Sequence, residues 1–136
     1  MLQTYFDRMK GKITDMNPRK RGEWGEEVAL GYLKTKGFII SATGFRSRFG
    51  EIDIIAKSNE YLVFVEVKTR KNAKFAYARE FVSRDKQRKL ITTAKYWLLK
   101  HPTRLQPRFD VIEIYAEQGE QTISPEINHI ENAFGV

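Results

Sequence analysis

No cysteine occurs among the 136 residues, and histidine occurs twice. These absences exclude a disulfide scaffold, a thiolate zinc site, a cysteine nucleophile and a histidine-rich metal centre. No apolar run approaches the ~18 residues of a membrane-spanning helix. The first twenty residues are interrupted by Asp7, Arg8, Lys10, Lys12 and Asp15, and they lack the apolar stretch of a secretory signal. The expectation is a soluble, cytoplasmic protein with no membrane partner.

What is present suits a folded chain. Hydrophobic residues make up 41%, with 9 Phe, 6 Tyr and 2 Trp, enough to build a core. Residues 1–20 read as a flexible N-terminal arm. Residues 21–136 read as a single domain, since domains commonly run to about 100–150 residues.

The charge is unevenly placed. The net charge is +7, yet residues 1–100 hold 22 of the 24 basic residues and 11 of the 17 acidic ones. Between Lys68 and Lys89 stand Lys68, Arg70, Lys71, Lys74, Arg79, Arg84, Lys86, Arg88 and Lys89, opposed only by Glu80 and Asp85. Phe75, Tyr77 and Phe81 interleave with them. A field of this sign favours an anionic partner, nucleic acid first. A solvated basic face with no partner would have the same composition.

The pattern along the chain is α/β. Trp24, Val28, Ala29, Tyr32 and Leu33 recur at helical spacing from Glu23 to about Lys36, and Gly37 is a stop signal. Residues 38–42 read as a short strand, and 44–50 as a loop carrying Arg46 and Arg48. Residues 51–57 and 61–69 read as a hairpin buried on both faces. A basic loop from Arg70 to Val82 follows. Ser83 is a candidate cap for a helix over 84–101, which carries Leu90, Ala94, Trp97 and Leu98 on one face and ends at Pro102. Residues 108–115 read as the final strand, before an acidic tail. The order is helix, three strands, helix, strand.

The hairpin carries the chemistry. Side chains alternate along a strand, so Glu66 and Lys68 share a face with Leu62 and Phe64. A two-residue loop at Asn59-Glu60 sets Asp53 opposite Glu66, and Glu51 opposite Lys68. Two half-buried carboxylates held together want a proton or a hard cation between them. Mg²⁺ or Mn²⁺ suits such oxygens. A lysine on the same face can steady charge that grows on a phosphate, which makes a constellation for phosphodiester hydrolysis. A structural ion network among Glu51, Asp53, Glu66 and Lys68 would use the same spacing. Glu26 points to the packed side of the first helix, where it reaches the site or serves the helix N-terminus. Arg84, Lys86, Arg88 and Lys89 oppose the dipole of the second helix, a local violation that suits phosphate binding.

Four blocks then carry a resemblance. They are Arg21 to Ala29 (RGEWGEEVA), Phe49 to Ala56 (FGEIDIIA), Leu62 to Arg70 (LVFVEVKTR) and Arg108 to Val111 (RFDV). With His129 to Phe134 they resemble the YraN-like family of bacterial proteins, and the likeness runs from about Arg21 to Phe134. The resemblance implies a restriction-endonuclease-like core, a mixed central sheet flanked by helices. It also implies a PD-(D/E)xK site similar to that of archaeal Holliday-junction resolvases. By position, Asp53 and Glu66 would be metal ligands, with the Val67 carbonyl as an addition. Lys68 would be the charge-stabilising lysine and Glu26 the helix-borne acid. Ile52 replaces the nominal proline. The implied activity is Mg²⁺- or Mn²⁺-dependent endonuclease cleavage of DNA, on branched or structured substrates. Arg46, Arg48, Arg70, Lys71, Arg84, Lys86 and Arg88 are the candidate nucleic-acid contacts. A homodimer follows by analogy alone. The competing expectation is a nucleic-acid-binding protein of the same fold without catalysis.

Overall fold

The computed structural model describes residues 18–71 and 82–135. Most of the expected N-terminal arm lies outside the described residues, as do Lys74, Phe75, Tyr77, Arg79 and Phe81. Helix α1 spans Pro18–Thr35, so it starts five residues before the apolar periodicity does and takes in the end of the expected arm. Pro18 is suited to a first helical turn, where its missing N–H has no intrahelical partner to lose. The helix ends as expected. Gly37 adopts φ +91°, a conformation that disfavours any Cβ. There Gly37 N–H donates to Lys34 O and Phe38 N–H to Leu33 O, a Schellman arrangement that satisfies the terminal carbonyls.

Among the described residues, five strands follow with one α-helix among them. β1 is Ile39–Ser47, β2 is Gly50–Lys57, β3 is Tyr61–Arg70, helix α2 is Arg84–Lys100, β4 is Gln106–Tyr115 and β5 is Glu126–Phe134. They form one sheet in the order β1-β2-β3-β4-β5. All neighbouring pairs are antiparallel except β3 with β4. The parallel pair needs a crossover, and the segment containing α2 provides it. The fold is thus mixed α/β, with a restriction-endonuclease-like core.

The helices cover opposite faces. Trp24, Val28, Ala29 and Leu33 of α1 pack with Ile54, Ala56, Val63, Val65, Ile112 and Ile114. Leu90, Ala94 and Trp97 of α2 pack with Ile52, Ile55, Leu62, Phe64 and Phe109. This double coverage explains why β2 and β3 are apolar on both faces. Among the described residues, no helix is long and apolar enough to cross a membrane.

The strands differ from the sequence expectation chiefly at β1 and β5, and β4 starts two residues early, at Gln106. β1 runs on through Gly44, Phe45 and Arg46, because Phe45 is an inward residue that stacks edge-on against Trp97 at 5.0 Å. The expected loop shrinks to the turn between Ser47 and Gly50. The acidic tail contributes β5, which pairs with β4 and turns His129 inward against Asp110, at 2.7 Å.

Candidate functional site

The two-residue hairpin loop forms. Ser58 N–H donates to Tyr61 O at 2.9 Å, and Lys57 faces Leu62. Pairing continues only to Ile54 opposite Val65. In a continuing ladder the Val67 N–H would go to the Ile52 carbonyl. It donates instead to Asp53 Oδ2, at 2.8 Å. The Asp53 carboxylate therefore sits where β2 and β3 part, held by a main-chain donor. The expected opposition of Glu51 and Lys68 is not formed: Glu51 pairs with Arg46 of β1, at 3.4 Å. β2 has left β3 by that point and follows its other neighbour.

Glu66 is the buried member of the site, 6% exposed. Two ammonium groups share its Oε1. Lys68 Nζ lies at 3.3 Å and Lys86 Nζ at 2.6 Å. Lys68 comes from the same face of β3, as alternation requires. Lys86 comes from the first turn of α2, whose start is fixed by Ser83: its Oγ accepts from Lys86 N–H at 3.1 Å.

Glu26 enters from α1. Gly25 lets that helix approach β3 closely, since a Cβ there would overlap Thr69 Oγ1. The next residue, Glu26, is thereby brought into electrostatic reach of Asp53.

The electrostatics follow from that count of charges. Three carboxyl groups, Glu26, Asp53 and Glu66, face two ammonium groups. Burial, and then the charge of Glu66, push Asp53 up to about 7, against the pull of the Val67 N–H and Lys86. Burial also raises Glu26, with the charges of Glu51, Glu23 and Glu66 adding to it and Asp53 opposing it. Burial pulls the Lys86 ammonium down, but its hydrogen bond and attraction to Glu66 outweigh this, and the net shift is upward. The cluster is short of positive charge near neutrality.

Could a divalent cation be accommodated? The donors are all oxygens, which suits Mg²⁺ or Mn²⁺. Among the described residues, no group of three or more His, Asp or Glu side chains is arranged to hold a metal ion. Mg²⁺ commonly uses only one or two carboxylates and keeps its waters, so Asp53 and Glu66 fit it. Lys86 occupies one of the oxygens such an ion would use.

The basic residues divide. Arg46, Arg48, Lys71, Arg84 and Arg88 are exposed. Arg46 is tied to Glu51, and Arg88 to Asp85 at 3.4 Å. Such exposed pairs are worth ~0–1 kcal/mol and exchange readily for phosphate. Arg70 is different. It lies 17% exposed, with Nε 3.8 Å from Glu113 on β4. Sequence reasoning placed Lys86 among the phosphate contacts and missed its bond to Glu66. The signal for it was the dipole violation at the start of α2, which marks the helix but not the partner.

A second polar cluster is built on β4 and β5. Buried Asp110 accepts from Arg108 Nε at 2.9 Å and Nη2 at 2.8 Å, and from Asn132 N–H at 3.0 Å. His129 Nε2 lies 2.7 Å from the same carboxylate, and its Nδ1 lies 3.0 Å from Tyr32 Oη. A neutral ring protonated on Nε2 satisfies both contacts. The network ties α1, β4 and β5 together, and it went unseen because β5 was read as tail.

Residues 25–114 match the uncharacterised protein family UPF0102. A UPF0102 protein of Clostridioides difficile is 46% identical over 120 residues, which cover 88% of this chain and all of that one. One from Acetivibrio thermocellus is 41% identical over 130 residues, 93% of this chain and all of its own. One from Persephonella marina is 42% identical over 115 residues, covering 84% and 92%. The chain belongs to the UPF0102, or YraN, family.

Proposed function

We propose that the protein is a Mg²⁺- or Mn²⁺-dependent endonuclease that hydrolyses phosphodiester bonds in DNA. The observation that carries this reading is the charge deficit at Asp53. Glu66 is buried and holds two ammonium groups, while burial and the charge of Glu66 raise Asp53 to about 7. Such perturbed carboxyl clusters concentrate at functional sites.

A divalent cation bound by Asp53 and Glu66 would supply Lewis-acid polarisation and a water activated for attack. The chain's own residues do the rest. The Val67 N–H fixes the Asp53 carboxylate in its rotamer. Lys68, its side chain 27% exposed, stands at the cleft with an ammonium free to move from Glu66 to a phosphate oxygen carrying growing charge. Glu26, whose proton affinity burial raises, stands in reach of Asp53 as a proton carrier. Arg46, Arg48, Arg84 and Arg88 supply sequence-independent contacts to the phosphate backbone.

One observation favours a second reading. Lys86 already neutralises Glu66, as it would in a nucleic-acid-binding protein of this fold that does not cleave. Calorimetric titration of Mn²⁺ into the free protein separates the two. The enzyme takes up Mn²⁺ in a manner lost in Asp53→Asn. The binding protein takes up none, and its affinity for DNA is the same with or without the ion.

A further inference from the structure

We propose that Phe49 and Arg48, at the turn between β1 and β2, form a stacking platform for an unpaired nucleobase. The proposal rests on the nucleic-acid reading above and extends it to residues outside the carboxylate cluster.

The turn is built to hold its residues still. Phe49 N–H donates to Ser47 Oγ, at 3.1 Å. Ser47 Oγ lies 3.3 Å from Thr93 Oγ1 on α2. Thr93 Oγ1 donates in turn to Lys89 O at 2.8 Å, so the Ser47 hydroxyl is the donor between them. Gly50 sits against the same helix: a Cβ there would stand 3.4 Å from Thr93 Oγ1 and 3.6 Å from Lys89 Cβ. The turn is thus anchored to α2 by its polar and backbone atoms. Its aromatic residue is left outside, with Phe49 39% exposed.

The surroundings of that ring match a nucleotide. The Arg48 guanidinium carbon lies over the ring, 4.9 Å from its centroid, so Arg48 covers one face and a base would stack on the other face or displace the guanidinium. Exposed Arg46 stands two residues back along β1, and exposed Lys89 lies against Gly50. Lys89, against which Gly50 packs, is one helical turn from Lys86, or ~5 Å along the axis, and Lys86 touches Glu66. The turn that carries Phe49 therefore packs on the same end of α2 that supplies Lys86 to Glu66. Tyr96 of α2, the other exposed aromatic ring among the described residues, has a ring as well as a cation against it: it stacks on Phe45 at 6.3 Å, with Lys100 at 4.8 Å. A paired base hides its faces within the duplex, whereas an unpaired base presents one. Stacking on an aromatic side chain accepts any base, so the platform selects single-stranded character rather than sequence.

The test is equilibrium binding followed by fluorescence anisotropy, in EDTA so that no cleavage intervenes. The probes are a mixed-sequence single strand and a blunt duplex of the same length. Phe49→Ala is expected to weaken single-strand binding by about tenfold and to leave duplex binding unchanged. Phe49→Trp is expected to keep both. A 2-aminopurine in the single strand should be quenched by the wild type and by Phe49→Trp, but not by Phe49→Ala. Circular dichroism checks that the variants fold. The proposal is overturned if Phe49→Ala binds the single strand as tightly as the wild type, or if it loses both probes equally. A wild type that binds neither probe overturns it together with the nucleic-acid reading, so the two failures look different.

Discussion

The Lys86 ammonium lies 2.6 Å from Glu66 Oε1, on an oxygen that a divalent cation at this site would use. Neutralising that lysine removes a competing unit charge from a buried carboxylate. Lys86→Met is therefore expected to tighten Mn²⁺ binding by roughly tenfold at low salt, as Coulomb attraction over this distance implies. Calorimetric titration at one fixed pH measures it. Weaker binding in the variant would mean that Lys86 orients Glu66 for the ion rather than competing with it.

Asp53 should make the protein less stable in the absence of metal. Its folded value is raised from 3.8 to about 7. A raised carboxylate costs nothing when both states are protonated, below about pH 4. The cost grows as pH rises through that window and is complete above about pH 7. Asp53→Asn, which keeps an acceptor for the Val67 N–H, is expected to be more stable than the wild type by ~2 kcal/mol at pH 8. The advantage should vanish toward pH 4. Thermal unfolding across pH reads this out, and added Mn²⁺ should raise the melting temperature of the wild type alone.

Asp110 has the opposite sign. Burial would raise it, but His129, Arg108 and the Asn132 N–H hold it below the ordinary carboxylate range. The stability it contributes is present above its unfolded value and is lost as pH falls through its lowered folded value. Asp110→Asn leaves Arg108 without its buried partner and is expected to cost about 3 kcal/mol at neutral pH. Denaturant titrations at neutral and acidic pH should show that the gap between wild type and variant narrows as pH falls.

Gly25 tests how closely α1 must approach β3. An alanine in mid-helix ordinarily gains ~0.5–1 kcal/mol over glycine. Here its Cβ would meet Thr69 Oγ1, with Thr69 Cβ at an ordinary 3.6 Å. Gly25→Ala is expected to destabilise by ~1–3 kcal/mol. Adding Thr69→Ala removes the offending hydroxyl and should restore the stability of the single Thr69→Ala variant or exceed it. A double-mutant cycle by chemical denaturation gives the coupling.

Local rules were enough for the hairpin and both helix faces. Asn59-Glu60 is a turn of favoured length, and the period of a strand then carries Asp53 to the same side as Glu66. Ser83 and Gly37 mark helix ends by chemistry that a few neighbouring residues supply. What escaped depends on contacts distant in sequence. β2 parts from β3 at Asp53 while it stays paired with β1 as far as Gly50, and no local pattern says where one edge of a strand stops pairing. The ion pair of Arg70 with Glu113 needs the parallel register of β3 on β4, which no local pattern encodes. β5 hid because it is an edge strand with few inward apolar residues, and its key inward residue is His129, paired with Asp110. The position of Lys86 on Glu66 required knowing which end of α2 faces the end of β3.

The central claim is cleavage of a phosphodiester by the Asp53–Glu66 site. Its most direct measurement is strand scission, with Mg²⁺ or Mn²⁺, on a panel of linear, nicked, flapped and four-way DNA. The wild type should cut at least one of these substrates. Asp53→Asn, Glu66→Gln and Lys68→Ala should each lose the activity while keeping the wild-type circular dichroism spectrum. Scission that survives all three substitutions, or a wild type that binds these substrates and Mn²⁺ but cuts none, would contradict it.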